Sequence, residues 1–384
     1  MLSTSTITGM KVGKRIIFCA DGTWDSKKDH TNVYKMFQAI DQGPDQVAFY
    51  DDGVGVEGNG IQRFLGGAFG EGLFQKIKDG YEKIASVYEP GDEIYIFGFS
   101  RGAYTARSIA GMISTCGLPT KTCDKELLDA VFHAYRDREH RSEMLGAMTA
   151  SVLQPAPIKM VGVWDTVGSL GIPAIWGHVD PVRYGFLDTS LHPNIQNAYQ
   201  ALAIDEHRRE FPPTLWTTPK TPVPGQTLEQ VWFPGGHSDV GGGYAESGLS
   251  DITLAWMMSK AENLGLKMTD AAKRVYDPLV SSAAIAAESV TDKLHNSWSV
   301  LWGLPRWRHL PEGATLSNSV ALRCVKDPSY HPWNLQVPHG QLSTAYNIAA
   351  VVAAPLLQLP LPVQVAANDA AEKPAPAQNV LKQA

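Results

Sequence analysis

Between Glu93 and Met112 the chain reads EIYIFGFSRGAYTARSIAGM, and no other stretch constrains the fold as strongly. Glu93 to Phe99 alternates β-branched and aromatic residues in the manner of a buried strand. The pentapeptide Gly98-Phe99-Ser100-Arg101-Gly102 follows. Beyond it Ala103, Ala106, Ala110 and Ile113 recur at three- and four-residue steps, which places them on one face of a helix. A strand, a G-x-S-x-G turn and a helix in succession lift a serine above a sheet on a turn so sharp that its neighbours must be small. A glycine-bracketed turn in some other α/β protein would give the same five letters. The flanking strand and helix make the motif specific.

Read in order, the remaining chain repeats this alternation. Arg15 to Ala20 predicts a first strand, with the loop Asp21-Gly22-Thr23-Trp24 after it. A helix is predicted from Thr31-Asn32, a second strand over Gln46 to Tyr50, and a helix from Leu73 to Tyr88 after the glycine-dense stretch Gly53 to Gly72. Ile158 to Trp164 and Leu228 to Phe233 predict two further strands. Asp124 to Glu143 reads as a charged flanking helix, and a short helix is expected around Asn194 to Ile204. Such β-α alternation predicts an α/β fold, a mostly parallel sheet with helices on both faces, and the G-x-S-x-G turn within it makes that fold α/β-hydrolase-like. The expected catalytic domain runs over 14–340, with loop-rich covering insertions at about 120–155, 169–227 and 285–335. An apolar, proline-containing tail over 345–384, ending in disorder, is expected after it.

Composition excludes several classes of function. At 44% hydrophobic and 19% charged residues the chain is globular, and its net charge of −6, with no basic stripe, argues against nucleic-acid binding. Cys19, Cys116, Cys123 and Cys324 show no C-x-x-C spacing and no His-rich partner motif, so neither zinc nor a disulfide framework is implied, and no cofactor is called for. Cys19 reads as a small buried residue within a strand. The first residues lack the apolar core of a secretory signal, which predicts a cytoplasmic protein and leaves export by a signal-independent route compatible with the sequence. The Gly53 to Gly72 stretch ends in no G-K-[ST] and follows no strand as G-x-G-x-x-G, which disfavours a phosphate-cradling role.

A serine nucleophile needs a base, and the base needs a group to orient it. Asp165 directly follows one predicted strand and His237 another, so both emerge at the edge that carries Ser100, in the order Ser, Asp, His expected of α/β-hydrolases. Of the eleven histidines only His237 stands directly after a core strand. A strand-end Asp that caps a turn, and a loop His satisfied by backbone, would read the same way. Asp239 is a rival acid and Asp21 a weaker one that could brace the loop beside it. An oxyanion hole is expected from the N–H of Arg101 and from Gly22 and Thr23. Arg101 and Arg107 could contact a phosphate or carboxylate group, but read first as surface ion-pair residues on the first helical turns.

Four blocks, DGTW at Asp21, YEPGDEIYIFGFSRGAYTAR from Tyr88, GVWDTVGSLG from Gly162 and FPGGHSDVGGGY from Phe233, resemble the domain-of-unknown-function family 2235. That family of α/β-hydrolases includes the phospholipase effectors of bacterial type VI secretion. The resemblance spans roughly residues 14 to 335. It implies Ser100, Asp165 and His237 as a catalytic triad and hydrolysis of phospholipid or other acyl esters. It also implies contact with a membrane surface, and partners in a secretion machinery or an immunity protein. A carboxylesterase on small esters and a non-catalytic binding module are the competing readings. Effectors of this group are expected to carry a membrane-anchoring region. The sole candidate here, Tyr346 to Ala367, is broken by Pro355, Pro360 and Pro362.

Overall fold

The computed structural model of the protein describes residues 13–22, 30–53, 68–120, 122–148, 153–167, 189–209, 211–217, 221, 223–298, 304–335 and 346–353. Its strands are β1 (Arg15–Ala20), β2 (Gln46–Asp51), β3 (Glu93–Phe99), β4 (Leu118–Pro119), β5 (Leu153–Gln154), β6 (Ile158–Trp164), β7 (Asn197–Ala203), β8 (Thr227–Phe233), β9 (Thr315–Ser317) and β10 (Asn347–Ala349). Eight of them form one sheet in the order β10-β9-β8-β7-β6-β3-β1-β2, every pairing parallel, while β4 and β5 form a separate antiparallel pair. The helices are α1 (Asn32–Ala39), α2 (Ala68–Val87), α3 (Ser100–Cys116), α4 (Lys125–Arg136), α5 (Arg141–Ala147), α6 (His237–Gly241), α7 (Gly248–Asn263), α8 (Asp270–Ser281), α9 (Ala283–Ser289) and α10 (Asn318–Lys326).

Parallel strands are joined by crossovers, and the crossover helices cover both faces of the sheet. Alternation along the strands divides the core accordingly. Ile16, Phe18, Ile94 and Ile96 pack with Ile77, Tyr81, Ile109 and Val131 on one face. Ile17, Cys19, Tyr95 and Phe97 pack with Met36, Ile252, Trp256 and Met257 on the other. Cys19 is wholly buried, as its place in a strand predicts. The predicted start of α1 is met by its cap: Thr31 Oγ1 accepts from the Tyr34 N–H at 3.2 Å.

Two expectations are corrected. Asn194 to Ile204 is not helical: Asn197–Ala203 is β7, buried at every residue and paired on both sides. The letters NAYQALA favour a helix by at most about 0.7 kcal/mol per residue. Burial of a large apolar side chain contributes ~1.5–3 kcal/mol, so sheet contacts decide the conformation. The boundary at 340 is also too early. Asn347–Ala349 pairs with β9, and Asn318 anchors the residues after it, its Oδ1 accepting from the N–H groups of Val351 (2.9 Å) and Val352 (3.0 Å).

The chain runs from β1 to β2 on one side and later places β3 on the other side of β1. Strand order therefore reverses between β1 and β3. In open parallel sheets, the crevice beyond the carboxyl ends at such a reversal is where ligands bind. Ser100 stands at the carboxyl end of β3, and Asp21 and Gly22 at that of β1.

Candidate active site

Ser100 is the first residue of α3 and sits at φ 56°, a left-handed conformation that non-glycine residues rarely adopt. Such strain persists only where surrounding packing holds it. The packing is visible at the flanking glycines. A Cβ on Gly98 would lie 2.5 Å from the Gly102 carbonyl oxygen, and one on Gly102 would lie 2.2 Å from that of Ala20. Both obstacles are backbone, so no side chain could yield. Only glycine at both positions lets α3 close onto β3 and β1.

The other two predicted residues converge on this serine. His237, the first residue of α6, sets Nε2 2.8 Å from Ser100 Oγ, and its Nδ1 lies 2.6 Å from Asp165 Oδ2. Asp165 follows β6 at φ 37° and is fully buried. Its carboxylate is saturated: Oδ1 accepts from Arg308 Nη1 (2.6 Å) and the Ala203 N–H (3.0 Å), and Oδ2 from Arg308 Nη2 (2.8 Å) as well as from His237. Burial alone would raise the Asp165 pKa. The Arg308 charge and the His237 hydrogen bond outweigh it and hold the carboxyl well below the usual range. For His237 burial wins: the imidazole is held below its ordinary value despite Asp165, so the neutral form predominates at pH 7.

The imidazole is fixed on both flanks. Phe99 lies 4.6 Å away between ring centroids and Phe211, edge-on, 5.1 Å away. Glu206, wholly buried, accepts from the His237 N–H at 3.2 Å and from Arg208 through both carboxylate oxygens at 2.8 Å. Burial would raise the Glu206 pKa, but that bidentate pair brings it down to about 2. Sequence reading passed over Glu206 and Arg308, because neither stands at the end of a predicted strand.

The rival acids have other partners. Asp239 pairs with His295 Nδ1 at 2.7 Å and with its N–H at 3.0 Å, tying the His237 turn to the segment after α9. Asp21 accepts from Thr31 Oγ1 (2.5 Å), Tyr50 Oη (2.7 Å) and the Gly22 N–H (2.8 Å), and burial pushes it up to about 6. Asp21 thus ties the end of β1 to Thr31 at the start of α1 and to Tyr50 in β2. In doing so it takes up the Gly22 N–H, contrary to the expectation that this group faces an oxyanion. Thr23 lies outside the described residues. Arg101 follows Ser100 in the first turn of α3, the end of a helix where N–H groups and the positive pole of the dipole point outward. Arg107 is not a surface residue: it is buried, stacked 4.3 Å over Trp216, with Nη1 donating to the Thr214 carbonyl at 2.5 Å.

Residues 14–260, which include Ser100, Asp165 and His237, match the family described as type VI secretion system (T6SS), phospholipase effector Tle1-like, catalytic domain. The chain belongs to that family. Over 228 residues this Tle1-like domain is 28% identical to the uncharacterized protein YEL023C of Saccharomyces cerevisiae, covering 52% of the chain and 32% of the yeast protein. Two solved structures are also similar. An uncharacterized protein from Pseudomonas aeruginosa gives a TM-score of 0.42 at 19% identity, covering 72% of the chain and 48% of that one. The Tle1 effector bound to the VgrG spike of the type 6 secretion system gives 0.33 at 16% identity, covering 64% and 56%. The Tle1-like chain spans about a third of the yeast relative and about half of each solved chain. Arg308 lies beyond the matched residues. Among the described residues no helix is long and apolar enough to cross a membrane.

Proposed function

We propose that this Tle1-like domain hydrolyses acyl esters of phospholipids, with Ser100 as nucleophile, His237 as general base and acid, and Asp165 as the group that orients the imidazole. The observation that carries this reading is the unbroken hydrogen-bonded line from Ser100 Oγ through His237 to Asp165, with the serine on a strained turn at a helix N-terminus. Family membership supports the phospholipid substrate.

In this mechanism Ser100 Oγ attacks the ester carbonyl carbon while its proton passes to His237 Nε2. The tetrahedral oxyanion forms against the amino end of α3, where the Arg101 N–H is the assigned donor. Loss of one such donor costs ~3 kcal/mol in transition-state stabilisation where it has been measured. The imidazolium, steadied by Asp165, returns the proton to the leaving alcohol oxygen as the C–O bond breaks. Water then attacks the acyl-serine by the same route, its proton taken by His237 and returned to Ser100. A bilayer is the surface on which such a substrate is met, and a secretion apparatus and an immunity protein are the partners the family suggests.

Purified protein incubated with phosphatidylethanolamine and phosphatidylglycerol vesicles is expected to release fatty acid and lysophospholipid, and a fluorophosphonate is expected to label Ser100. Release of phosphorylated headgroup without fatty acid overturns the reading. Turnover of short esters with none on vesicles replaces it by a small-ester carboxylesterase.

The buried imidazole sets the pH response. Because burial disfavours its charged form, His237 takes up a proton only below the ordinary histidine value of 6.5. The base form therefore predominates at pH 7 and is lost as pH falls. The acid limb of kcat/KM, which reports the free enzyme, is expected below pH 6.5. A limb at or above that value contradicts the assignment.

A further inference from the structure

Asp165 is held by more than the histidine. Arg308 belongs to the segment between α9 and β9, 143 residues further along the chain, and is buried. Its two terminal nitrogens make four hydrogen bonds. Nη1 donates to Asp165 Oδ1 at 2.6 Å and to the Ala203 carbonyl at 2.9 Å, and Nη2 to Asp165 Oδ2 at 2.8 Å and to the Phe211 carbonyl at 2.8 Å. One planar fork thus joins the carboxylate, the end of β7 and the residue whose ring stands edge-on to His237. Bidentate guanidinium–carboxylate pairing fixes the plane of the acid as well as its charge.

We propose that Arg308 is a positioning residue for the Ser100–His237–Asp165 line, fixing the carboxylate plane that presents Oδ2 to His237 and seating Phe211 against the imidazole. This rests on the serine-hydrolase reading above. The residues that match the family therefore do not complete the site by themselves, since the segment bearing Arg308 supplies part of it.

The charged groups that face His237 fix the sign of the pH effect. Asp165 and Glu206 favour the imidazolium, and Arg208 opposes it. Arg308 acts through Asp165, whose negative charge it partly neutralises. Without that guanidinium, Asp165 draws a proton onto His237 more strongly, and the acid limb of kcat/KM moves to higher pH. An arginine whose charge did not reach the Asp165–His237 pair would leave that limb in place.

The test uses the full chain with Arg308→Ala and Arg308→Lys. Folding is followed by circular dichroism, competent sites are counted by fluorophosphonate titration, and kcat and KM are measured on a short acyl ester across pH. In Arg308→Ala, kcat is expected to fall on the order of 10–100-fold, by analogy with the outer-shell groups that orient metal ligands, with KM little changed and the acid limb displaced upward. Millimolar guanidinium is expected to restore part of the loss in Arg308→Ala and to do nothing for the wild type. Arg308→Lys keeps a charge without the fork and is expected to fall between the two. If Arg308→Ala does not fold, a folded Arg308→Lys with reduced kcat and a displaced limb supports the proposal. Wild-type kcat and limb in either folded variant overturn it, as does failure of both to fold, which would assign Arg308 to the fold alone. Wild-type protein that neither turns over esters nor takes the label removes the serine-hydrolase reading, and this proposal with it. An active wild type matched by its Arg308 variants removes this proposal only.

Discussion

Ser100→Ala and His237→Ala are each expected to lower acyl-ester turnover by about 10⁶-fold, and the double variant by no more than either alone. Residues acting as one unit show this non-additivity: once the nucleophile is gone, a base has no proton to take. The fold should survive both changes. Removing the Ser100 hydroxyl leaves the contacts at Gly98 and Gly102 that close α3 onto the sheet. Removing the imidazole leaves Asp165 with its Arg308 and Ala203 donors, so no buried charge is stranded. Turnover by the single and double variants, measured alongside thermal unfolding, checks the expectation. Near-normal turnover by a folded His237→Ala would show that another group is the base.

The parts of this site that sequence reading located share one property: each is local. The Ser100 turn is announced by glycines two residues to either side, and the structure places backbone against both. Asp165 and His237 could be found because each follows a run of buried apolar residues that ends at the sheet edge. Sequence order then put them beside Ser100 without any knowledge of β7. That strand was misread because its residues are good helix formers buried on both faces, and a short two-sided run carries no period of two. The three-residue strands β9 and β10 are too short to show a pattern at all.

Glu206 and Arg308 illustrate the other limit. Each acts through a contact that joins distant points of the chain, Glu206 to the His237 backbone across 31 residues and Arg308 to Asp165 across 143. Nothing in LPRWRHL distinguishes an arginine that snorkels to solvent from one that ends on a buried carboxylate. Its chain neighbour Trp307 is itself exposed in the structure, so the burial of Arg308 is not shared by the residue before it. What could have pointed to a partner is electrostatic: a carboxylate as deeply buried as Asp165 costs several kcal/mol to ionise in isolation, and one neutral imidazole does not offset that.

The same argument makes Asp165→Asn a harsher change here than a lost charge alone. Asparagine tolerates the left-handed backbone at Asp165 (φ 37°), so the turn itself is not the obstacle. The carboxylate, however, receives four donors: two from Arg308, one from Ala203 and one from His237. An amide has a single oxygen. With its NH₂ at the Oδ2 position it meets His237 Nδ1 and Arg308 Nη2, and the imidazole can satisfy it only by taking the tautomer that cannot accept the Ser100 proton. With its NH₂ at the Oδ1 position it faces Arg308 Nη1 and the Ala203 N–H, donor against donor. In both poses the buried guanidinium loses its counter-charge. Turnover is therefore expected to fall ~10⁴-fold, as for the corresponding change in a worked serine hydrolase, together with a loss of stability of ~3–5 kcal/mol from breaking a buried ion pair. Pairing the change with Arg308→Gln, which removes the stranded charge, should return much of the stability and none of the turnover. Denaturant unfolding of the single and double variants, with turnover measured on the same samples, separates the two effects. Stability unchanged in Asp165→Asn would mean that Arg308 does not depend on this carboxylate for its charge balance.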